Sequence, residues 1–322
     1  MNFKIQKVVI IGINGYLGSF LANQLFSQGL TLIGISSKNQ PPIPGVLMYS
    51  GGIHSDEALK SAVSDADLII YLAGQTSIND AERDPLNRIK SGILPISSLI
   101  KHAVKLNKKI RIIYASTVTV YGANPKLPIC EASPPLPETN YDLHKIFCEQ
   151  QLLMASKSGL IDCNILRLSN VYGNSLEKCS AIDRNIISRS INQAINEKSL
   201  NIYGTGKYLR DFIHISDVIN VFIKVINNVN ISSGIYNIGT GRSITIEYAY
   251  KYISNYINKN YKIPIELNYI NNENTLNKID LRNHIIDVRK IISDLNWHAE
   301  TNFESGVSNM IDDYFIMNSR GY

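Results

Sequence analysis

The sequence predicts an α/β fold: a doubly wound, parallel sheet followed by a smaller C-terminal α/β lobe. Three observations carry that reading. Short β-branched runs, almost wholly apolar, alternate with segments of helical length over residues 1–173; strands covered on both faces and their crossover helices read this way. A glycine-punctuated turn joins the first apolar run to the first helical segment. The 322 residues, 44% hydrophobic and 18% charged, suffice for one large α/β unit with an appended lobe, and exclude a disordered chain or a disulfide-stapled miniprotein.

Taken in order, Lys7–Ile11, Thr31–Ile35 and residues 67–72, 110–115 and 164–168 read as strands. Residues 16–28 carry apolar positions at helical spacing, with Gly29 as the stop signal. Residues 56–63 and 87–106 are also helical in pattern. Such alternation implies right-handed crossovers. After Gly173 the rhythm loosens: 180–198 reads as a helix, 200–202 as a short strand, and Gly234–Ile238 as a strand returning to the sheet. The rest alternates short strands and helices rich in Asn, Ile and Lys. The expected division is a first domain over 1–173, rejoined by 211–240, and a second, mainly over 174–322.

Charge narrows the partners. There are 32 Lys+Arg against 27 Asp+Glu, a net charge of +5. That suits an anionic small substrate without requiring one, and no dense basic run interleaved with aromatics argues for nucleic acid. Cys130, Cys148, Cys163 and Cys179 form no C-x-x-C and match no zinc spacing. They read as reduced thiols, and nothing points to a metal. The opening MNFKIQKVVIIG places basic residues before an apolar run, but the run stops at Gly12, short of a signal-peptide core. No stretch reaches a membrane-spanning length. The expected location is cytoplasmic.

Gly12-Ile13-Asn14-Gly15-Tyr16-Leu17-Gly18 lies between the first strand and the first helix. One glycine permits the tight turn, a second lets a pyrophosphate approach the backbone, and a third lets the helix pack closely. The helix N-terminus then offers N–H groups to the phosphates. This Rossmann-type context points to dinucleotide binding; an ordinary tight βα turn is the plainer alternative. A fold selecting NAD usually carries Asp or Glu at the end of the second strand to grip the ribose hydroxyls. Here the strand ends in Ile35-Ser36-Ser37-Lys38. Hydroxyls and an ammonium welcome a 2′-phosphate, so NADP(H) is favoured and NAD(H) is the other possibility. Lys38 could equally be a solvated loop residue.

Tyr141-Asp142-Leu143-His144-Lys145 sets Tyr and Lys four apart, on one helix face. A free phenol titrates near 10; a neighbouring ammonium stabilises its phenolate. Tyr141 could then give or take a proton as hydride moves. Taken alone, this spacing is more often a surface pair. Upstream, residues 110–115 run into Ser116-Thr117-Val118-Thr119-Val120-Tyr121-Gly122, hydroxyls at the carboxyl edge of a parallel strand where such folds bind ligands. Thr117 is placed to hydrogen-bond the reacting oxygen. Thr119 could instead be structural.

Together these motifs resemble the extended short-chain dehydrogenases/reductases, the nucleotide-sugar epimerase, dehydratase and reductase group. The resemblance covers nearly the whole chain. Tyr71-Leu72-Ala73-Gly74 resembles the family's fourth-strand motif beside the cofactor, and residues 116–122 its Ser-Ser-x-x-Val-Tyr-Gly. Tyr141 and Lys145 resemble its catalytic pair. Residues 166–173, Tyr203-Gly204-Thr205-Gly206, residues 210–218, Tyr236-Asn237-Ile238-Gly239 and Leu295-Asn296-Trp297 follow its later signatures. The resemblance implies catalysis by Thr117, Tyr141 and Lys145. It implies cofactor contacts from Gly12, Asn14, Gly15, Tyr16, Leu17, Gly18, Ser36, Ser37, Lys38, Ile53, Leu72, Ala73, Gly74, Tyr141, Lys145 and Leu168. Substrate contacts fall on Thr76 and Ser77 facing the sugar, Thr117, and Asn170 and Arg210 at the diphosphate. Arg282 is a second phosphate clamp or a surface arginine. Asp211 is expected to be structural, and His144 exposed or packing.

Departures matter too. The family's dehydratases carry an acidic pair where this chain has Val118 and Thr119, which argues against 4,6-dehydration. Gly52 stands where an Asp commonly contacts adenine, and Gly92 where an Asn is often found. The expected activity is NADPH-dependent reduction of a nucleotide-diphosphate 4-keto-(6-deoxy)sugar. The alternatives are a C4 epimerase with tightly bound NAD and, from another class, a non-catalytic dinucleotide-binding sensor. The family implies a homodimer through the helix of the Tyr/Lys pair and the one before it, and a context such as O-antigen or capsule biosynthesis.

Overall fold

The computed structural model describes residues 5–38, 40–74, 82–123, 126–176, 185–270 and 282–319. The first half runs β1 (Lys7–Ile11), α1 (Tyr16–Ser27), β2 (Thr31–Ile35), β3 (Leu47–Tyr49), α2 (Asp56–Asp65), β4 (Leu68–Tyr71), α3 (Leu94–Lys105), β5 (Ile110–Thr117), α4 (Asn140–Lys157) and β6 (Ile161–Leu168). It continues through β7 (Asn170–Tyr172), α5 (Ile186–Glu197), β8 (Ser199–Tyr203), β9 (Leu209–His214), α6 (Ile215–Asn227) and β10 (Gly234–Ile238). β11 (Ser243–Thr245), α7 (Ile246–Tyr261), β12 (Glu266–Ile270), α8 (Arg289–Leu295) and α9 (Phe303–Ser319) complete it.

Among the described residues the central sheet has seven strands in the order β3-β2-β1-β4-β5-β6-β10, all paired in parallel. Period-2 alternation sorts each strand's side chains to two faces. Val8 and Ile10 join Leu21, Leu25 and Phe222 under α1 and α6. Val9 and Ile11 join Leu59, Leu99 and Leu152 under α2, α3 and α4. Both faces are therefore dry, which is why the strands read as continuous apolar runs. A third core, with Tyr172, Ile191, Phe212, Ile253, Phe303 and Val307, belongs to the smaller sheets. These are β11-β9-β7 and the parallel pair β12-β8.

Element limits differ most from the sequence expectation in three places; smaller shifts include β5, which runs on to Thr117, and β6, which starts at Ile161. The helix expected over 87–106 is broken: a turn at Pro85–Arg88 runs into a π-helical stretch at Ile89–Ile93 before α3. Pro95 is the cause, since it cannot donate to the carbonyl four residues back and its ring crowds that carbonyl. The helix expected over 180–198 is α5, which starts at Ile186 where the Asn185 side chain accepts from Ser188 N at 2.7 Å; residues 177–184, with Cys179, lie outside the described residues. β3 escapes the apolar-run rule because it is short and at the sheet edge.

Candidate active site

The order of strands reverses between β1 and β4, and their carboxyl ends meet at the glycine turn, where open α/β sheets take ligands. Gly12 has φ +94°, and a Cβ there would lie 2.8 Å from the Ala73 backbone nitrogen. Leu72 N donates to the Ile11 carbonyl at 2.8 Å. The turn and the Leu72-Ala73-Gly74 segment therefore touch backbone to backbone. Gly18 is required for a different reason: a Cβ would lie 2.2 Å from the Gly12 carbonyl oxygen. α1 opens after Gly15, with no side-chain cap and no acidic residue in its first turn, the turn that holds Tyr16 and Leu17. An uncapped helix N-terminus free of negative charge fits dinucleotide phosphates.

Around this turn the side chains take varied parts. The Asn14 amide donates to the carbonyls of Lys38 and Gln40 at 3.2 and 3.0 Å, holding the loop that follows β2. Tyr16 Oη donates to the Gly173 carbonyl at 2.9 Å. Ser36 is buried and accepts from Lys38 N, while Ser37 and Lys38 are exposed. Gly52 packs beside Ser36 with φ +63°, a conformation that disfavours the family's Asp. Ile53 is half-buried against the core under α2, and Leu168 is buried at the end of β6. Thr76 and Ser77 lie outside the described residues.

The second half of the site is where β5 meets α4. Thr117 ends β5 and accepts from Thr119 N at 3.2 Å, capping a short 3₁₀ turn over Val118–Tyr121. α4 begins two residues before Asp142, and Thr139 caps it by accepting from Asp142 N at 3.1 Å. Tyr141 and Lys145, both half-buried, share one face of its first turns. Lys145 Nζ donates to the Ala115 carbonyl at 2.7 Å and sits 4.8 Å from the centre of the Tyr114 ring. On the other side of Tyr141, Asp142 is fully buried and accepts from Thr119 Oγ1 at 2.6 Å. Tyr141 is thus bracketed by two residues fastened to the end of β5. Thr119 is structural as the sequence allowed, but its partner is the Asp142 carboxylate.

Behind Thr117 lies a buried ion pair. Glu149 on α4 accepts from Arg167 Nε at 3.0 Å and Nη2 at 2.5 Å, and also from Ser116 Oγ. The Arg167 guanidinium stacks 4.6 Å from the Tyr121 ring centre, and Tyr121 Oη donates to Asn237 at 2.7 Å. Two carboxylates of α4, Asp142 and Glu149, therefore lock the helix onto the strand ends.

On the lobe side, Asn170 Nδ2 donates to the Asp211 carbonyl at 3.1 Å. Arg210 donates to the carbonyls of Leu209 and Arg282. Asp211 is buried and accepts from Thr240 N, Thr240 Oγ1 and Gly241 N. Burial pushes its carboxyl up to about 6 against those donors. These bonds tie β9 to the turn that follows β10. His284, buried between the two arginines, is pushed down to about 3 by burial and then by the charges of Arg210 and Arg282. Arg282 corrects both sequence expectations. It is not a surface arginine: it is 1% exposed. Nor is its fork open to a phosphate, because Glu138 takes its Nε and Asp142 its Nη2 at 3.1 Å.

The comparisons with known proteins fit this arrangement. A family-wide profile described as "NAD dependent epimerase/dehydratase family" matches residues 8–239. The chain belongs to that family. The epimerase/dehydratase chain is 25% identical over 329 residues to the dTDP-4-dehydro-6-deoxyglucose reductase of Escherichia coli, covering 97% of this chain and 98% of that one. It is 25% identical to the UDP-glucose 4-epimerase of Azospirillum brasilense, covering 74% of each. Among solved structures, the UDP-glucose 4-epimerase of Thermotoga maritima with UDP-glucose superposes with a TM-score of 0.84 at 22% identity, over 97% of this chain and all of that one. The Thermus thermophilus UDP-glucose 4-epimerase complex with NAD gives 0.81 at 19% identity, over 96% and 99%. These two establish the shared fold.

Sequence reasoning missed Asp142, Glu138, Glu149 and Arg167. The signal for Arg167 was present: a charge inside an apolar strand covered on both faces needs a partner. Nothing in the sequence said that the partner would be Glu149, eighteen residues upstream on α4.

Proposed function

We propose that this family member is an NADPH-dependent reductase of a nucleotide-diphosphate 4-keto-(6-deoxy)sugar. The observation that carries the choice is the end of β2: buried Ser36, exposed Ser37 and Lys38, no carboxylate, and a left-handed glycine at 52. Such a surface receives a 2′-phosphate and lacks the usual grip on ribose hydroxyls. Gly12, Gly15 and Gly18 with the start of α1 hold the pyrophosphate, beside Leu72, Ala73 and Gly74. A bound nicotinamide dinucleotide supplies the hydride. Tyr141 donates the proton to the sugar oxygen, Lys145 lowers the cost of its phenolate, and Thr117 hydrogen-bonds the developing oxyanion. Asn170 and Arg210 face the diphosphate, a guanidinium fork suiting phosphate oxygens. Dehydration is disfavoured because Val118 is buried and apolar and the Thr119 hydroxyl is given to Asp142.

The domain reading that goes with this takes the two cores flanking the central sheet as the cofactor unit, with β10 returned to it, and the third core as the substrate lobe. Dimerisation uses an exposed apolar stripe on α4: Leu143, Phe147 and Met154, the last 70% exposed, fall on one face at helical spacing. No helix among the described residues is long and apolar enough to cross a membrane.

C4 epimerisation is the second reading, favoured by similarity to curated 4-epimerases. It would use the same residues and return hydride to the opposite face. The test is turnover with two probes. Oxidation of NADPH by dTDP-4-dehydro-6-deoxyglucose supports the reductase. Redox-neutral conversion of a UDP-hexose without added reductant replaces it with the epimerase.

A further inference from the structure

We propose that Asp142 and Arg282 form a positioning pair that acts through Thr119 to aim the Thr117 hydroxyl at the reacting oxygen, and that ties this aim to the strand carrying Arg210. The proposal rests on the reading of Thr117 as a donor to the substrate oxygen.

Hydrogen bookkeeping gives the argument. A carboxylate accepts only, and a threonine hydroxyl has one proton to donate. Asp142 Oδ1 lies 2.6 Å from Thr119 Oγ1 and takes that proton. Thr119 Oγ1, 3.1 Å from Thr117 Oγ1, can then only accept from it. The remaining contact of Thr117 is with Thr119 N, which donates to Thr117 Oγ1 at 3.2 Å. Among the described residues, Thr117 Oγ1 is thus anchored by two bonds to Thr119, accepting from its N and donating to its Oγ1, and these hold the hydroxyl in one rotamer from which its proton passes to an arriving oxygen. Asp142 keeps Thr119 in the accepting role that this anchor needs.

Arg282 fixes Asp142 in turn. Its Nη2 donates to Asp142 Oδ2 at 3.1 Å, its Nη1 to the Thr119 carbonyl at 3.3 Å, and its Nε to Glu138. Glu138 N also donates to Asp142 Oδ2 at 3.4 Å. Arg282 and Asp142 are 1% and 0% exposed. Their ion pair is therefore little screened by solvent. The Arg282 carbonyl is held by the Arg210 guanidinium, and two residues on, His284 N donates to the Leu209 carbonyl at 3.0 Å. Arg282 thereby joins β9 to the carboxylate that anchors Thr117 through Thr119.

The test separates this role from phosphate binding and from mere support of the fold. Titration calorimetry with UDP and dTDP reads the phosphate contact. Arg282→Met should bind within threefold of wild type, whereas Arg210→Met should lose at least tenfold. An Arg282→Met loss as large as that of Arg210→Met overturns the proposal in favour of a phosphate clamp. No loss at Arg210 overturns the functional reading of that residue instead. Steady-state kinetics with whichever probe the wild type converts read the aim. Thr119→Val, nearly isosteric and free of the unpaired charge that Asp142→Asn leaves, should lower kcat by about tenfold to hundredfold, with KM within twofold. Thr119→Ser should restore kcat to within threefold. Unchanged kcat in Thr119→Val, or failure of serine to rescue, overturns the proposal. A wild type that converts neither probe removes it together with the functional reading on which it rests.

Discussion

The two ends of the ligand-bearing edge are built on opposite plans. At β5 and α4, Thr117, Thr119, Asp142 and Arg282 are joined by hydrogen bonds of 2.6–3.3 Å, and Glu149 and Arg167 pair behind them at full burial. At the end of β2, Ser37 and Lys38 project from an exposed loop whose backbone is held by Asn14. The first end holds its groups in a connected, buried network, as the proposed proton transfer beside a hydride requires. The second, on the proposed reading, needs only to present hydroxyls and a charge to a 2′-phosphate. The difference teaches that, on the proposed reading, the reacting groups are held by buried pairs, while cofactor choice rests on a few surface residues.

Perturbing the buried end should cost most. Tyr141→Phe removes the proposed proton donor while leaving the ring, and should lower kcat by about 10²–10⁴-fold with cofactor affinity unchanged, read by steady-state kinetics and cofactor titration. Glu149→Gln leaves the Arg167 guanidinium buried beside a neutral amide. Chemical denaturation should show a loss of about 3–5 kcal/mol; a loss below about 1 kcal/mol would show that the pair does not lock α4. The exposed end should respond more mildly and more selectively. Lys38→Glu should weaken NADPH binding by about tenfold or more and leave NADH within threefold. Equal effects on both cofactors would assign Lys38 to the loop alone.

The smallest effect concerns acid stability. His284 titrates at about 3 in the folded chain and near 6.5 unfolded. Between those values the unfolded chain binds more protons, so stability falls as pH falls through that window. His214, lowered chiefly by burial, acts in the same sense. Asp211, raised to about 6, acts oppositely between about pH 6 and 4. The His284 contribution is therefore read as a difference: wild type should lose about 1 kcal/mol more than His284→Gln between pH 6 and 5. Parallel curves would place His284 outside the linkage.

The fold was legible because it depends on patterns that local sequence carries. Strands dry on both faces read as apolar runs, and the Gly12 and Gly18 spacing records two backbone approaches. The break at Ile89–Ile93 was legible in principle from Pro95. The candidate site is legible only in its named motifs. Tyr141, Lys145 and Thr117 stand in recognisable spacings, but Asp142 reads as an ordinary acidic residue in a first helical turn. Arg282 is 140 residues away from it, and no local pattern announces which carboxylate a distant arginine will meet.

The account turns on Tyr141 delivering a proton as hydride reaches a nucleotide-sugar carbon. The most direct measurement follows NADPH absorbance after adding dTDP-4-dehydro-6-deoxyglucose to wild type and Tyr141→Phe side by side. Rapid loss in the wild type and at least hundredfold slower loss in the variant is the predicted result. Equal rates in the two proteins would contradict it.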